Sequence, residues 1–242
     1  MDERLKNIYD HFDSLKIGLD DQFKFNCTMC GKCCINREDI LLNPKDLFNL
    51  AKELNLTPPQ VVDAYCEPYI GGDSRFPLVR LKPRGSIKRC PLLKDRKCSV
   101  HNAKPTVCAM FPIGRCVASE IKPSKKNTDD KFPIGEIQYI FSDPHCGDYS
   151  KTYTVREWLQ EFNLELEDEF FIKWNQTLIR CQSAIKKAEK RFAPQTMDML
   201  WNAVYISCYL DYDMSKDFMQ QFIDNTEKLN DIMDMINHRY KK

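Results

Sequence analysis

Glycine is scarce in this chain: eight residues in 242, with Gly71-Gly72 as the one doublet. No G-x-G-x-x-G and no G-x-x-x-x-G-K-S/T occurs, so the glycine loops that cradle nucleotide phosphates are missing and a Rossmann-type fold is unsupported. The Cys-x3-Cys-x2-Cys spacing of radical S-adenosylmethionine chemistry is absent as well. Long apolar runs are lacking; none nears the roughly 20 residues that span a bilayer, so no membrane association is expected. The N-terminal MDERLKNIYDHF is charged and has no apolar stretch before a small-residue cleavage site, so no signal peptide is expected. A cytoplasmic, reducing location is the corresponding expectation, and stable disulfides do not persist there. No internal repeat or low-complexity tract occurs.

Cysteine, in contrast, is abundant, with twelve residues. In a reducing compartment these read as metal ligands, catalytic thiols or small core residues. Cys27, Cys30, Cys33 and Cys34 crowd into CTMCGKCC, and CPLLKDRKCSVHNAKPTVCAMFP adds Cys90, Cys98 and Cys108. Cys146 stands alone in DPHCGDYS. A Cys-x-x-Cys turn can bring two sulfurs to one ion, and a third cysteine two residues on can take a third corner. Ferredoxin-type loops hold three irons of a cubane this way, with a distant cysteine for the fourth. Structural zinc sites more often pair two Cys-x-x-Cys knuckles, and no second knuckle exists here. Consecutive extended residues point their side chains apart, so Cys33 and Cys34 are expected to face two different sites. Eight cysteines suffice for two four-thiolate sites, or for one cluster and a second metal. His101 and His145 lie close enough in sequence to replace a sulfur, although a loop histidine is more often polar surface. Cys66, Cys181 and Cys208 fall in expected helices and read as core. Cys116 is open between ligand, reactive thiol and core. The crowding argues against a dedicated catalytic nucleophile, because neighbouring thiols would trap it as a disulfide.

Net charge is +1, but residues 75–131 hold fifteen Lys or Arg against four Asp or Glu, a local +11. One reading is that these cations offset thiolates on a metal, since four thiolates on a divalent ion leave about −2. The other is an anionic partner. Few aromatics interleave with the charges, so a nucleic-acid stacking surface is poorly supported.

The pattern predicts an α+β chain: a cysteine-rich metal-binding domain over 1–150 with short strands and helices, then a mainly helical region, 151–242, packed on it. A helix is expected over 2–14, with Leu5, Ile8, Tyr9, Phe12 and Leu15 at helical spacing. Asn43-Pro44 and Thr57-Pro58 each read as an N-cap followed by proline at N1, opening helices to about Leu54 and through PPQVVDAYCEPY. Short strands are expected at 40–42, 76–82 and 135–141, with a polar break at 127–130. Thr154 with Glu157 forms a capping-box signal. Long helices are expected over about 166–192, 194–209 and 215–238. The acidic run Glu165, Glu167, Asp168 and Glu169 suits the positive end of a helix dipole.

In its order of motifs the chain resembles the CxxCxxCC cysteine-cluster family, described as a zinc- or iron-chelating domain. CTMCGKCC matches the opening motif, EDILLNPKDLFNLAKELNLTPPQVVDAY the strand and helix pair that follow, and CPLLKDRKCSVHNAKPTVCAMFP the second motif. Lys104 stands before Pro105 where an arginine is usual, and Cys146-Gly147 resembles the closing cysteine. The resemblance spans roughly residues 23–150. It implies metal ligation by Cys27, Cys30, Cys33, Cys34, Cys90, Cys98, Cys108 and Cys146, with an iron–sulfur cluster or zinc as the cofactor. The family includes flagellin lysine methylases, so protein-lysine methylation with S-adenosylmethionine on a protein substrate is a second, analogy-level implication. A nucleic-acid-binding module built on residues 75–131 ranks last.

Overall fold

The structure, a computed structural model, describes residues 10–38, 40–117 and 135–240. The greater part of the expected 2–14 helix and the polar break at 127–130 lie outside the described residues; within them a short helix covers Phe12–Leu15.

The chain is α+β, with short strands in its first part and long helices in its second. Among the described residues, four small antiparallel sheets organise the first part. Strands β1 (Lys16–Ile17), β9 (Ile137–Phe141) and β8 (Ile113–Val117) form one, in the order β1-β9-β8. Strands β3 (Leu41–Leu42), β5 (Pro77–Leu81) and β4 (Cys66–Ile70) form the second, in the order β3-β5-β4. Strand β2 (Gln22–Asn26) pairs with β10 (Asp148–Thr154), bringing the start of the cysteine-rich region against its end. A two-stranded ribbon, β6 (Leu93–Lys94) with β7 (Lys97–Cys98), projects from the middle.

Capping decides where the helices begin. Asn43 accepts the Asp46 N–H and Asp46 reaches back to the Asn43 N–H, so Pro44–Leu54 opens on a complete capping box. The same reciprocal arrangement starts Pro58–Tyr65 at Thr57 and Val155–Glu161 at Thr154. Asp168 caps Glu169–Ala188 by accepting the Phe171 N–H at 3.0 Å. Pro194–Tyr205 runs into a π-turn at Ile206–Leu210, and Phe218–Arg239 completes the chain.

One expected helix is shorter. The run PPQVVDAYCEPY leaves the helix after Tyr65, and Cys66–Ile70 becomes β4. Pro68 lacks the N–H a helix needs, whereas β4 pairs with a partner on one side only and tolerates proline. Cys66 is therefore the first residue of a strand, still buried as expected of a core thiol, as are Cys181 and Cys208.

Two hydrophobic clusters hold these pieces together. The larger joins the β3-β5-β4 sheet and the Pro44–Leu54 and Pro58–Tyr65 helices to Trp174, Ile185, Tyr209, Phe222 and Met233 of the late helices. The smaller packs Phe23, Phe25, Met110, Ile113 and Tyr139 around Val155, Trp158 and Leu159. Residues on both sides of position 150 share each core. No helix among the described residues is long and apolar enough to cross a membrane.

Candidate metal centre

Four separate segments deliver cysteines to one chamber. The first follows β2. Met29, Gly31 and Asn36 take positive φ, coiling the chain after Cys27 so that Cys30, Cys33 and Cys34 turn inward. Gly31 precedes a 3-10 turn at Lys32–Cys34, closed by the Cys34 N–H donating to the Gly31 carbonyl at 3.0 Å. The second segment is stitched to the first: the Cys90 N–H donates to the Cys34 carbonyl at 2.8 Å, and the Asn36 N–H to the Ile87 carbonyl at 3.0 Å. Cys98 arrives opposite Leu93 across the β6–β7 ribbon.

Cys108 sits on the short helix Thr106–Met110, which lacks a capping side chain of its own. Asp46 supplies one from a distance, accepting the Thr106 N–H at 2.8 Å and the Thr106 hydroxyl at 2.7 Å. Cys146 arrives through the β2–β10 register, where Asp148 lies opposite Asn26, bringing Cys146 and Cys27 to neighbouring strand ends. Gly147 has φ +69°, and a Cβ there would meet the Asn26 carbonyl oxygen at 2.4 Å, so the close approach needs glycine.

All eight cysteines named from sequence line this cavity of about 100 Å³. Its other walls are largely apolar, with Phe25, Leu92, Val100 and Phe111 among them, and Trp158 and Phe162 cover it from the far helix. Trp158 is fixed there by its indole N–H, which donates to the Met110 carbonyl at 2.9 Å. Cys27 is exposed, while the other seven are half-buried. Among the described residues, no three His, Cys, Asp or Glu side chains already converge at the distances of a single ion. His101 lines the chamber, whereas the His145 side chain is 87% exposed beside Asp143 and does not. Cys116 lies on β8 with its thiol toward the Gln138 carbonyl, away from the chamber.

The Cys33 and Cys34 sulfurs are 3.9 Å apart. The expectation that adjacent side chains diverge assumed extended backbone; a 3-10 turn swings both to the same side. Their surroundings nonetheless differ. Cys146 feels the charges of Cys33, Cys30 and Cys27, while Cys34 feels Cys33, Cys90 and Cys108, and Cys90 feels Cys98 and Cys33. The thiols thus sort into two overlapping groups that meet at the vicinal pair.

Proton affinities follow from these contacts. Cys33 is drawn below the usual thiol range because Cys34 donates to it, with Arg37 and Lys104 adding positive charge against the opposing effect of burial. Cys34 is pushed up for the complementary reason, since losing its proton would set two thiolates side by side. The Lys32 N–H lowers Cys30. Burial raises Cys90 and Cys108, and burial with the neighbouring thiols pushes Cys146 up to about 11. Burial also lowers His101, helped by Lys104.

Sequence reasoning did not place several of the lining residues at this chamber. Arg37, Arg96 and Lys104 stand in its wall, and Trp158 and Phe162 line it from the far helix. Lys104 was legible only as the residue before Pro105. Asp46 carried a helix-capping signal that disclosed nothing of its second bond to Thr106.

Residues 26–133 match the model of the CxxCxxCC family, described as "Putative zinc- or iron-chelating domain". The match ends before Cys146, which the sequence resemblance had included and which the β2–β10 pairing brings to the chamber. No curated protein and no solved structure matches the chain.

Proposed function

We propose that the chamber holds a thiolate-bound metal centre, with Cys27, Cys30, Cys33, Cys34, Cys90, Cys98, Cys108 and Cys146 as its ligands, a reading supported by the match of residues 26–133 to the CxxCxxCC family model. The observation that carries this reading is the meeting of all eight on one cavity. The donor set fits soft metals: thiols inside apolar walls, with Arg37, Arg96 and Lys104 present to offset the charge of thiolates. Cys27 and Cys30 neighbour Cys146 on one side, Cys34, Cys90, Cys98 and Cys108 gather on the other, and Cys33 adjoins both.

An iron–sulfur centre is favoured by the Cys27-Cys30-Cys33 spacing joined to a distant cysteine. Zinc is the second reading. The 3.9 Å separation of Cys33 and Cys34 is near the about 3.8 Å that two thiolates adopt on one tetrahedral ion with Zn–S bonds of about 2.3 Å. When bound, iron–sulfur would supply electron transfer, and zinc would supply a structural clamp. The chain's own residues hold the thiols, exclude water with Trp158 and Phe162, and balance charge.

Anaerobic purification with metal analysis and a visible spectrum tests the proposal. A broad band at the blue end that bleaches with reductant identifies iron–sulfur, and stoichiometric zinc without colour identifies the second reading. Folded, metal-free protein with all thiols free overturns both. Protein-lysine methylation with S-adenosylmethionine rests on sequence resemblance alone, and isothermal titration with that cofactor tests it.

A further inference from the structure

Residues 75–117 carry eleven Lys or Arg and one acidic residue, Asp95. If all of this charge answered thiolates, it would line the chamber. It does not. Arg96 and Lys104 do, but Lys82, Arg84, Arg89, Lys94 and Lys97 are exposed and lie outside the lining. Nor is the excess neutralised locally. Arg75 pairs with Glu189, Arg80 with Glu67, Lys88 with Glu38, and Arg115 with Asp168. Among the described residues, Lys82, Arg89, Lys94, Arg96 and Lys97 form no ion pair, and Arg84 turns to the Ala64 carbonyl and the Tyr65 ring.

The backbone concentrates these charges. Arg84 and Arg89 are direct partners in an antiparallel bridge, joined by N–H···O bonds of 2.8 and 2.9 Å. Like charges directly opposite one another destabilise such a pair. The β6–β7 ribbon follows at once, with Lys94 opposite Lys97. Ile87, at the tip of the first hairpin, is 55% exposed and sets an apolar side chain among the cations. The same hairpin is bonded to the cysteine loop through Asn36 and Ile87.

We propose that the hairpins at residues 84–89 and 93–98 form a docking face for an acidic protein segment. Complementary charge relieves the Arg84–Arg89 and Lys94–Lys97 juxtapositions, and Ile87 supplies an apolar anchor within a charged rim. A nucleic acid fits less well, because the exposed part of this face offers no aromatic side chain for base stacking. A partner seated there would lie against the Cys33–Cys34 loop, beside the metal chamber.

Fluorescence anisotropy of the full chain with a labelled polyglutamate peptide, at low and at high salt, tests the proposal. Binding should weaken with salt and fall by at least about tenfold in Arg89→Glu/Lys94→Glu/Lys97→Glu. None of these three side chains lines the chamber, so metal content should stay unchanged. A Lys216→Glu control, remote in sequence, should bind normally. In a second comparison, Ile87→Ser should weaken binding with little effect on its salt dependence. Absence of binding at low salt, equal binding by the triple variant, or tighter binding to duplex DNA or RNA than to the peptide overturns the proposal. Because the readout is peptide binding, failure of the metal reading registers separately, in the metal analysis.

Discussion

Asp46 holds Thr106 by two hydrogen bonds to one carboxylate oxygen, across sixty residues of sequence. The same side chain completes the Asn43 capping box, so one buried carboxylate starts one helix and anchors the short helix that carries Cys108. Asp46→Ala should cost about 3 kcal/mol, from the lost cap and two part-buried donors of Thr106 left without an acceptor. Urea unfolding of the metal-loaded protein measures it. A chelator competition should also show weaker metal binding, because Cys108 loses its fixed position.

The cysteines should divide into two classes on substitution. Cys33→Ser or Cys108→Ser should lower bound metal, whereas Cys181→Ala or Cys208→Ala should keep it. The latter two lie in fully buried packing and should cost about 1–2 kcal/mol of stability. Metal content and melting curves of the four variants distinguish the classes.

Metal loading should release protons. In the metal-free chamber Cys34, Cys90, Cys108 and Cys146 hold their protons to higher pH than an ordinary thiol, because burial and neighbouring sulfurs disfavour the thiolates. Ligation requires the deprotonated form, so affinity must fall as pH falls and rise as pH rises. Calorimetric titrations in buffers of different ionisation enthalpy count the protons. No release at neutral pH would contradict the assignment of these four as ligands.

Arg115 and Asp168 form a buried ion pair at 3.0 Å, with the Arg115 side chain 4% exposed and its guanidinium over the Phe171 ring. Removing one partner strands a charge in the interior. Asp168→Ala should therefore destabilise by about 3–5 kcal/mol. The double variant Arg115→Met/Asp168→Ala should recover part of that loss, and urea denaturation of the wild type, both single variants and the double variant closes the cycle.

Two glycines beside the cysteines should respond unequally to alanine. At Gly147 both the positive φ and the Asn26 carbonyl oppose a Cβ, so Gly147→Ala should displace Cys146 and lower metal content. At Gly31 the nearest atom, the Arg96 carbonyl oxygen, lies 3.5 Å from where a Cβ would stand, leaving only the backbone strain of about 1 kcal/mol. Metal analysis and thermal melts should rank Gly147→Ala as the more damaging.

Short-range chemistry made much of this molecule readable from its sequence. Asn43-Pro44, Thr57-Pro58 and Thr154 with Glu157 all satisfy backbone N–H groups within four residues, and all three helices begin there. The two cysteine blocks marked seven of the cysteines that line the chamber, and the family resemblance added Cys146, which no spacing signal marks. What escaped notice depends on distant partners. DYSKTYT has no burial alternation over most of its length, and becomes β10 by pairing with Gln22–Asn26. The closeness of Cys33 and Cys34 escaped because it depends on a 3-10 turn whose conformation the two residues alone do not reveal.

Trp158 and Phe162 lie beyond residue 133, as does Cys146, yet all three belong to the wall around the thiols. The recognisable domain is therefore a vessel with one side built by its sequel. Excising residues 26–133 would remove the roof, admit water and oxidants to the sulfurs, and discard one of the eight. A piece of this chain that keeps the whole lining extends at least through Phe162.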